Sequence, residues 1–297
     1  MKVGFVGLGV MGKPMAKNLL KTGYSLIVCK HLDPRPVDEL VAAGAHEVSS
    51  PREVAEESDI VVTMLPDSAD VEEVVLGEKG LLRGARKGMI IIDMSSIAPS
   101  SSKRLALEAE KEGVEMLDAP VSGGETGAIE GTLTIMVGGK KSTLSKCVEI
   151  LQALGKSIVY VGDAGAGQTA KLANQIIVAL NIAAVSEAFV LGTKAGVDPS
   201  VLFEAIRSGL AGSNVMNAKI PKILQRDFRP GFKIRLHHKD LKNALEAARD
   251  LKTPLPLTAL AQQILCALVN DGKGEADHSA IINFVERLAN VEVRSTG

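Results

Sequence analysis

Three polar side chains stand at the start of a long apolar segment, and their types and spacing suit proton transfer. In AGAGQTAKLANQIIVALNIAAVSEA, Lys171 is followed by Asn174 three residues later and by Gln175 four residues later. Residues three and four apart share one face of a helix, so these side chains are expected to lie together. A lysine ammonium can donate a proton to the oxyanion formed when hydride reaches a carbonyl, and a neutral lysine can take that proton back. Lys171 is therefore a candidate general acid and base.

Lys171 also has a simpler interpretation. A lysine in the first turns of a helix can extend its amine to solvent while its stem packs on apolar neighbours. However, residues 167–195 are predicted to form one helix about 43 Å long, and this helix begins where the pattern of the preceding chain changes. We expect a lysine at that point to face a cleft between two domains, where ligands commonly bind. Burial and a neighbouring cation would lower its pKa there.

A glycine-rich loop follows the first apolar run. In VGFVGLGVMGKPMAKNLL the pattern GxGxxG comes directly after a predicted strand and directly before a predicted helix. In that context the glycines permit a tight turn, close approach of a pyrophosphate, and close packing of helix on strand. Free N–H groups at the helix N-terminus favour phosphate. The alternative is a glycine-rich connection without a ligand. The predicted dinucleotide loop comprises Gly7, Leu8, Gly9, Val10, Met11 and Gly12.

The end of the second predicted strand bears on the choice between NAD and NADP. An Asp or Glu about 20 residues after the loop would hold the ribose 2′-hydroxyl of NAD. In VCKHLDPRP, Lys30 and His31 occupy that place and Asp33 comes slightly later. Lys30, His31 or Arg35 would favour the 2′-phosphate of NADP, whereas Asp33 would serve NAD. The expected cofactor is NAD or NADP, with the cations favouring NADP; a solvated turn is the alternative.

Further motifs follow the ends of predicted strands, where ligands bind in open α/β sheets. TMLP at 63–66 and DMSS at 93–96 each end a strand. Ser122, Gly123 and Gly124 follow another strand. A serine hydroxyl, together with backbone N–H groups left open by two glycines, suits a small carboxylate. The alternative is that the glycines only fix the turn.

Two more polar groups belong to the helical half of the chain. Asn174 adds a donor and an acceptor to the face that carries Lys171. In HHKDLKNAL, Lys239 and Asp240 place a cation beside an anion. They could clamp cofactor and substrate in the cleft, and an ordinary charged helix surface explains them equally well.

The elements that must position these residues differ between the two halves of the chain. Short apolar runs such as KVGFVGL, YSLIVCK, DIVVTML, MIIIDMS, EMLDAPV, TLTIMVGG and SIVYVGD alternate with helical patterns. This alternation indicates a doubly wound parallel sheet. Only helical patterns follow. The predicted fold class is α/β: a Rossmann-type doubly wound parallel sheet domain at 1–163, followed by an all-α domain with a long central helix at 164–297.

Composition narrows the function classes. The formal net charge is −1 and aromatic residues make up 3%, which argues against nucleic acid as a partner. The three cysteines form no CxxC pair or Cys/His cluster, so no metal site is expected, and reduced thiols fit a cytoplasmic protein. The N-terminal apolar stretch is too short for a signal peptide. Residues 172–186 are uncharged but include polar side chains, so we expect no membrane span.

As a set, these motifs resemble the β-hydroxyacid dehydrogenase family, which includes 3-hydroxyisobutyrate dehydrogenases and, more distantly, 6-phosphogluconate dehydrogenase. The resemblance covers nearly the whole chain, through GFVGLGVMGKPMAKNL, TMLP, IDMSSIAP, LDAPVSGGETGAIEGTLTIMVGG, GAGQTAKLANQ and HKDLKNA. It implies a Rossmann domain and an all-helical domain that associate as a homodimer or homotetramer through the long helices.

The resemblance also implies residue roles. Lys171 would be the catalytic lysine. The carboxylate and hydroxyl of a small anionic substrate would be held by Ser122, Gly123, Gly124 and Asn174, with Asp240 supporting that site. Contacts to the cofactor, beyond the glycine loop, would come from Met64, Leu65, Pro66, Ser96 and Lys239.

Four stretches resemble one branch of the family in particular. IDMSSIAP, KLANQIIVALNIAAVSEA, AIRSGLAGS and ADHSA are similar to the branch that reduces tartronate semialdehyde to D-glycerate with NAD(P)H. Gln175 stands where many relatives have a second asparagine, which suits this branch, and Lys30 replaces the common acid. The same chemistry on 3-hydroxyisobutyrate or another semialdehyde is an alternative. A nucleotide-sensing protein that has lost the chemistry is another, and Lys171 argues against it.

Overall fold

A computed structural model of the chain describes residues 1–30 and 33–295. The chain divides into two compact units, Met1–Lys171 and Leu172–Gly297. This division lies inside the long helix, whereas the domain boundary predicted at 163–164 lies just before that helix.

The first unit is built on one sheet. Its strand order is β3-β2-β1-β4-β5-β6-β8-β7, with β9 paired to β8. The pairs from β3 across to β6 are parallel, as expected for a doubly wound sheet. The strands are β1 Lys2–Val6, β2 Ser25–Cys29, β3 His46–Val48, β4 Ile60–Thr63, β5 Ile90–Asp93, β6 Glu115–Asp118, β7 Val121–Ser122, β8 Leu133–Gly139 and β9 Gly155–Gly162.

The strand order reverses at β1, which lies between β2 and β4. In such sheets the connections leave β1 and β4 toward opposite faces, and a crevice opens at the carboxyl ends of the strands. The GxGxxG loop follows β1 at that edge. The predicted Rossmann-type fold class is confirmed for this part of the chain.

Helices cover both faces of the sheet, because neighbouring residues of each strand point to opposite sides. In β5, Ile90 and Ile92 belong to one buried apolar cluster and Ile91 to the other. The helices of this unit are α1 Gly12–Lys21, α2 Arg35–Ala42, α3 Pro51–Glu57, α4 Ser68–Leu76, α5 Pro99–Lys111, α6 Gly124–Glu130 and α7 Lys141–Gln152.

The structure departs from the sequence expectation at the far edge of the sheet. β8 pairs antiparallel with both β6 and β7, and only β9 is parallel to it. An antiparallel partner needs no crossover connection, so the chain can return directly along the sheet. EMLDAPV, expected as one strand, forms β6 and β7, because Pro120 between them has no N–H to donate to a ladder.

Four short elements, β3 and the helices α3, α4 and α6, were absent from the sequence expectation. β3 has three residues, too few for a clear pattern of alternation. The start of α3 did carry a signal, since the Ser50 side chain accepts a hydrogen bond from the Glu53 N–H and Pro51 follows at the first helical position.

The second unit is helical, and among residues 172–295 the only β pairing is an isolated bridge between Lys233 and Asp277. Its buried residues form two apolar clusters, one around Ile182 and Leu241 and the other around Phe189 and Ile220. Its helices are α8 Ala166–Lys194, which begins in the first unit, α9 Pro199–Ile206, α10 Asn214–Leu224, α11 Ile234–Asp250, α12 Pro256–Leu268 and α13 Ile281–Ala289.

The length and composition of α8 would also allow it to cross a membrane, a test that core helices of soluble proteins pass as well.

Candidate active site

The loop after β1 has the backbone geometry of a dinucleotide cradle. Gly7 has a positive φ of 100°, and a Cβ there would collide with the Met64 carbonyl. A Cβ at Gly12 would collide with the Gly7 carbonyl, so this glycine lets α1 start close to β1. A Cβ at Gly9 would meet nothing within 4 Å, so the backbone there is open to a ligand. These features fit a pyrophosphate held against the loop and the first N–H groups of α1.

The motifs after β4 and β5 are joined to each other by hydrogen bonds. Leu65 N–H donates to Ser95 Oγ at 2.8 Å, and the Thr63 hydroxyl donates to Asp93 Oδ1 at 2.8 Å. Ser95 N–H donates to the same Asp93 oxygen at 3.2 Å. The two loops that carry the predicted cofactor residues Met64, Leu65, Pro66 and Ser96 are therefore held in one arrangement.

Asp93 lies beneath these loops with no exposed surface. Burial and, more weakly, the nearby Asp118 carboxylate raise the pKa of its carboxyl group to about 6, although the hydrogen bonds from Ser95 and Thr63 lower it. No hydrogen bond among the described residues reaches its second oxygen, Oδ2. Asp93 is thus a buried carboxyl group whose charge is costly to the fold.

A second buried carboxylate anchors the start of α8. Asp118 Oδ1 accepts from Gly165 N–H at 2.8 Å, and Oδ2 accepts from Gln168 N–H at 2.9 Å. A carboxylate at a helix N-terminus accepts hydrogen bonds from free N–H groups, and its negative charge interacts favourably with the positive end of the helix dipole. A Cβ at Gly167 would lie 2.8 Å from Asp118 Oδ2, so only glycine lets the helix approach this closely.

The Gln168 side chain ties the same helical turn to the loop after β5. Its Oε1 accepts from Ile97 N–H at 3.0 Å and its Nε2 donates to the Ser95 carbonyl at 2.8 Å. The residue is 1% exposed. Because Ser95 also bonds Leu65, a continuous hydrogen-bonded chain links the loops after β4 and β5 to the first turn of α8.

Lys171 follows Gln168 by three residues, so both stand on the same side of α8. Lys171 is 7% exposed, which is rare for lysine. The predicted catalytic amine is therefore carried by a helical turn that two buried side chains fix to the sheet.

The predicted carboxylate site follows β7. Ser122 is half-buried at the end of the strand, and Gly123 and Gly124 are exposed with φ of 137° and 63°. Side chains are strained at such positive φ values, so both positions require glycine. A Cβ at Gly124 would meet nothing within 4 Å, which leaves its backbone open to a ligand.

In the second unit, a chain of polar groups connects α8 with α11. Asn174 Nδ2 donates to Gln175 Oε1 at 2.9 Å, and Gln175 Nε2 donates to Asp240 Oδ2 at 2.5 Å. The Lys239 amine lies 3.0 Å from Asp240 Oδ1. Gln175 and Asp240 are buried and Asn174 is half-buried. The structure thus brings together four residues, Asn174, Gln175, Lys239 and Asp240, that the sequence analysis took from two separate motifs.

Two buried histidines extend this chain. His237 Nε2 lies 3.0 Å from the Gln175 carbonyl, and His237 Nδ1 lies 2.9 Å from His278 Nδ1. A carbonyl can only accept, so Nε2 of His237 carries a proton and a neutral His237 accepts at Nδ1 from His278. The Phe232 ring packs edge-on against both imidazoles.

The cations near the end of β2 are paired with carboxylates. Lys30 Nζ lies 3.0 Å from Glu47 and 3.6 Å from Asp38. Arg35 makes a two-pronged contact with Asp33, at 2.9 and 2.8 Å. A 2′-phosphate would have to compete with these partners. His31, the other predicted cofactor residue here, lies outside the described residues.

Sequence reasoning did not assign Asp118, Gln168, His237 or His278. All four stood inside quoted motifs, Asp118 in EMLDAPV, Gln168 in GAGQTAKLANQ, His237 in HHKDLKNAL and His278 in ADHSA, so their positions were visible but their partners were not. Among the described residues, no group of three or more His, Cys, Asp or Glu side chains is arranged to hold a metal ion.

Comparison with known families gives two matches that together span most of the chain. Residues 2–162 match the model described as the NAD binding domain of 6-phosphogluconate dehydrogenase. Residues 165–285 match the model described as NAD-binding of NADP-dependent 3-hydroxyisobutyrate dehydrogenase.

Individual relatives are similar over nearly their full length. The 2-hydroxy-3-oxopropionate reductase of Escherichia coli (strain K12) is 47% identical over 98% of this chain and 99% of its own. The 2-(hydroxymethyl)glutarate dehydrogenase of Eubacterium barkeri is 43% identical over 98% of this chain and 97% of its own. The solved structure of Mycobacterium tuberculosis 3-hydroxyisobutyrate dehydrogenase with L-serine superimposes with a TM-score of 0.88 at 33% identity, over 96% of this chain and 98% of that one.

Proposed function

Because the chain belongs to the β-hydroxyacid dehydrogenase family of NAD- or NADP-dependent oxidoreductases, we propose that it reversibly reduces 2-hydroxy-3-oxopropanoate (tartronate semialdehyde) to D-glycerate. The observation that carries the chemistry is the buried Lys171 on a helical turn fixed by Asp118 and Gln168. The choice of substrate is supported by the 47% identity with the E. coli reductase.

In this proposal each group has a defined task. The nicotinamide, when bound, supplies hydride to the C3 carbonyl carbon or accepts it in reverse. Lys171 donates a proton to the C3 oxygen as that oxygen becomes anionic, and takes the hydroxyl proton in the oxidation direction. The Ser122 hydroxyl and the Gly123 and Gly124 N–H groups bind the substrate carboxylate.

The remaining residues hold substrate and cofactor. Asn174 and Asp240 bind on the substrate side, and the loop from Gly7 to Gly12 holds the pyrophosphate. The dinucleotide is also contacted by Met64, Leu65, Pro66, Ser96 and Lys239. We propose NADP as the favoured cofactor, with Lys30 exchanging its carboxylate partner Glu47 for the 2′-phosphate.

A second candidate function is the same reaction on 3-hydroxyisobutyrate. It is supported by the similarity to the M. tuberculosis enzyme at 33% identity. Both candidates share the lysine chemistry and differ only in the group at C2, which is a hydroxyl in glycerate and a methyl in 3-hydroxyisobutyrate.

The test is kcat/KM for D-glycerate, 3-hydroxyisobutyrate and succinic semialdehyde, each measured with both nicotinamide cofactors. We expect D-glycerate to exceed 3-hydroxyisobutyrate by at least tenfold and NADP to exceed NAD. A preference for 3-hydroxyisobutyrate would overturn the substrate assignment. Tight cofactor binding without turnover of any compound would favour a nucleotide-sensing protein instead.

A further inference from the structure

Gln175 occupies a position between two proposed substrate-binding residues. It is buried on α8, next to Asn174 in sequence, and its amide contacts Asn174 at one end and Asp240 of α11 at the other. The contact with Asn174 uses the amide oxygen of Gln175, and the contact with Asp240 uses its amide nitrogen. The orientation of this amide therefore decides which atom each neighbour meets.

The chemistry of the partners fixes that orientation. Lys239 Nζ lies 3.0 Å from Asp240 Oδ1, an ion pair by distance without hydrogen-bond geometry, and the carboxylate of an ion pair only accepts hydrogen bonds. The Gln175 atom facing Asp240 Oδ2 must then be the donor, Nε2. Its Oε1 is left to face Asn174, and the Asn174 atom that meets an acceptor must be Nδ2.

The backbone of Gln175 is held as well. His237 Nε2 donates to the Gln175 carbonyl at 3.0 Å, so α11 contacts both the main chain and the side chain of this residue. A side chain held at both atoms of its amide, on a main chain that His237 also contacts, has little freedom to turn over. Donation therefore runs in one direction, from Asn174 to Gln175 and from Gln175 to Asp240.

The consequence is that Asn174 presents its oxygen. With Nδ2 directed to Gln175, Oδ1 occupies the other branch of the amide and can only accept. A substrate carboxylate offers no proton to it, whereas a substrate hydroxyl does. In D-glycerate the C3 hydroxyl gives its proton to Lys171 in the proposed reaction, so the C2 hydroxyl remains as the donor for Asn174, one helical turn away on the same face.

We infer that Gln175 is a specificity-determining residue that orients Asn174 to accept a hydrogen bond from a C2 hydroxyl, so that the enzyme selects 2,3-dihydroxy acids over 3-hydroxy acids with an alkyl group at C2. This inference rests on the proposed function. Gln175 acts through Asn174 and is itself a positioning residue.

Side-chain length explains why glutamine is needed here. An asparagine at 175 is one methylene shorter, so its amide cannot bridge from Asn174 to Asp240 across the distances seen. Without the bridge, the Asn174 amide is free to turn and present either atom. A hydroxyl and a methyl group at C2 are nearly equal in size, so hydrogen bonding rather than fit must distinguish them.

The experiment compares D-glycerate with 3-hydroxyisobutyrate as oxidation substrates, a pair that differs only in hydroxyl or methyl at C2. The measured quantity is the ratio of their kcat/KM values in the wild type, Gln175→Asn and Gln175→Glu. Gln263→Asn, the same substitution at an exposed position of α12, is the control and is expected to leave the ratio unchanged.

The two variants at 175 separate the contacts. Gln175→Asn is expected to lower the ratio at least tenfold, about the worth of one hydrogen bond to substrate. Gln175→Glu keeps the length and keeps an acceptor facing Asn174 Nδ2. Its ratio is expected to stay within about threefold of the wild type, while kcat falls because two carboxylates then adjoin at Asp240.

The outcomes distinguish this inference from the proposed function. If the wild type prefers D-glycerate and Gln175→Asn keeps that preference, the role of Gln175 is wrong and the proposed function stands. An equal loss of the kcat/KM ratio in Gln175→Glu and Gln175→Asn would also overturn the inference about Gln175. If Gln175→Asn does not fold, Gln175→Glu decides, and a fall of its ratio beyond about threefold overturns the inference. If the wild type prefers 3-hydroxyisobutyrate, the proposed function itself fails.

Discussion

Asp93 is the residue with the clearest conflict between charge and environment. It is fully buried, its Oδ2 has no hydrogen-bond partner among the described residues, and burial raises its pKa from about 3.8 to about 6. A carboxyl group whose pKa is raised in the folded state binds its proton more tightly there than in the unfolded chain. Folding therefore loses stability as the pH rises from about 4 to about 6, and the loss is complete above that range.

Asp93→Asn removes this pH-dependent loss. The asparagine Oδ1 can still accept from Thr63 and Ser95, and the side chain carries no charge at any pH. Relative to the wild type, we expect the variant to gain about 2 kcal/mol of unfolding free energy between pH 4.5 and pH 7.5. Urea unfolding at the two pH values measures the difference, and parallel behaviour of both proteins would contradict the assignment.

At the scale of the element, the start of α8 is the feature on which the site depends. Asp118 caps its backbone and Gln168 bonds Ser95 and Ile97, so the helix is attached to β6 and to the loop after β5 that carries the predicted cofactor residue Ser96. Lys171 is placed by this turn. A helix start attached less firmly would leave the amine free to move relative to the loops.

Gln168→Ala tests that attachment. It removes both side-chain hydrogen bonds and leaves the buried Ser95 carbonyl and Ile97 N–H unpaired, at about 1–3 kcal/mol for each group. We expect kcat to fall about 10–100-fold, with a much smaller change in the Kd of the cofactor.

Thr169→Ala is the matched control one residue along. The Thr169 hydroxyl donates to the Gly165 carbonyl of the same turn, and the residue is exposed. This variant is expected to keep kcat within about twofold. If both variants lost activity equally, or if Gln168→Ala kept full activity, the attachment would not position Lys171.

At the scale of the whole molecule, α8 carries an exposed apolar stripe. Ile177 is 62% exposed and Leu191 72% exposed, and they lie on one side with Ala173, Ala184 and Ala188. Their spacing of three, four or seven residues is typical of a helix that packs against another along its length. We propose that copies of the chain associate through this stripe.

Charge on the stripe should prevent association. We expect the wild type to be a dimer or tetramer by light scattering, and the double variant Ile177→Glu, Leu191→Glu to be monomeric. Val201→Glu, which changes an apolar side chain 64% exposed on α9, serves as the control. A monomeric wild type, or a double variant that still associates, would contradict the proposal.

The order of most strands and helices could be predicted from the sequence, because each of these elements has its own local pattern of apolar residues. Alternation of apolar runs predicted the parallel part of the sheet, and the helix predicted over 167–195 matches α8 to within one residue at each end. β3 was too short to show a pattern. The antiparallel pairing of β8 with β6 depends on which edge of the sheet is free, and this cannot be inferred from any short stretch of sequence.

The same limit applies to the site. GxGxxG and Lys171 could be predicted as site residues because their residue types and spacing suit a chemical role. The contact of Gln168 with Ser95 joins residues 73 apart, and that of His237 with His278 joins residues 41 apart. Such pairs are set by how strand ends and helices meet, so the sequence offered the residues without their partners.

The most direct measurement of the central claim is single-turnover hydride transfer by Lys171→Ala and Lys171→Met, with cofactor affinity measured in parallel by nicotinamide fluorescence. Lys171→Met keeps the apolar stem and removes only the amine. We expect both variants to bind cofactor within about threefold of the wild type, while the rate of hydride transfer falls by about 10²–10⁴. Wild-type rates in either variant, with the cofactor bound, would contradict the assignment of Lys171 as the proton donor and acceptor.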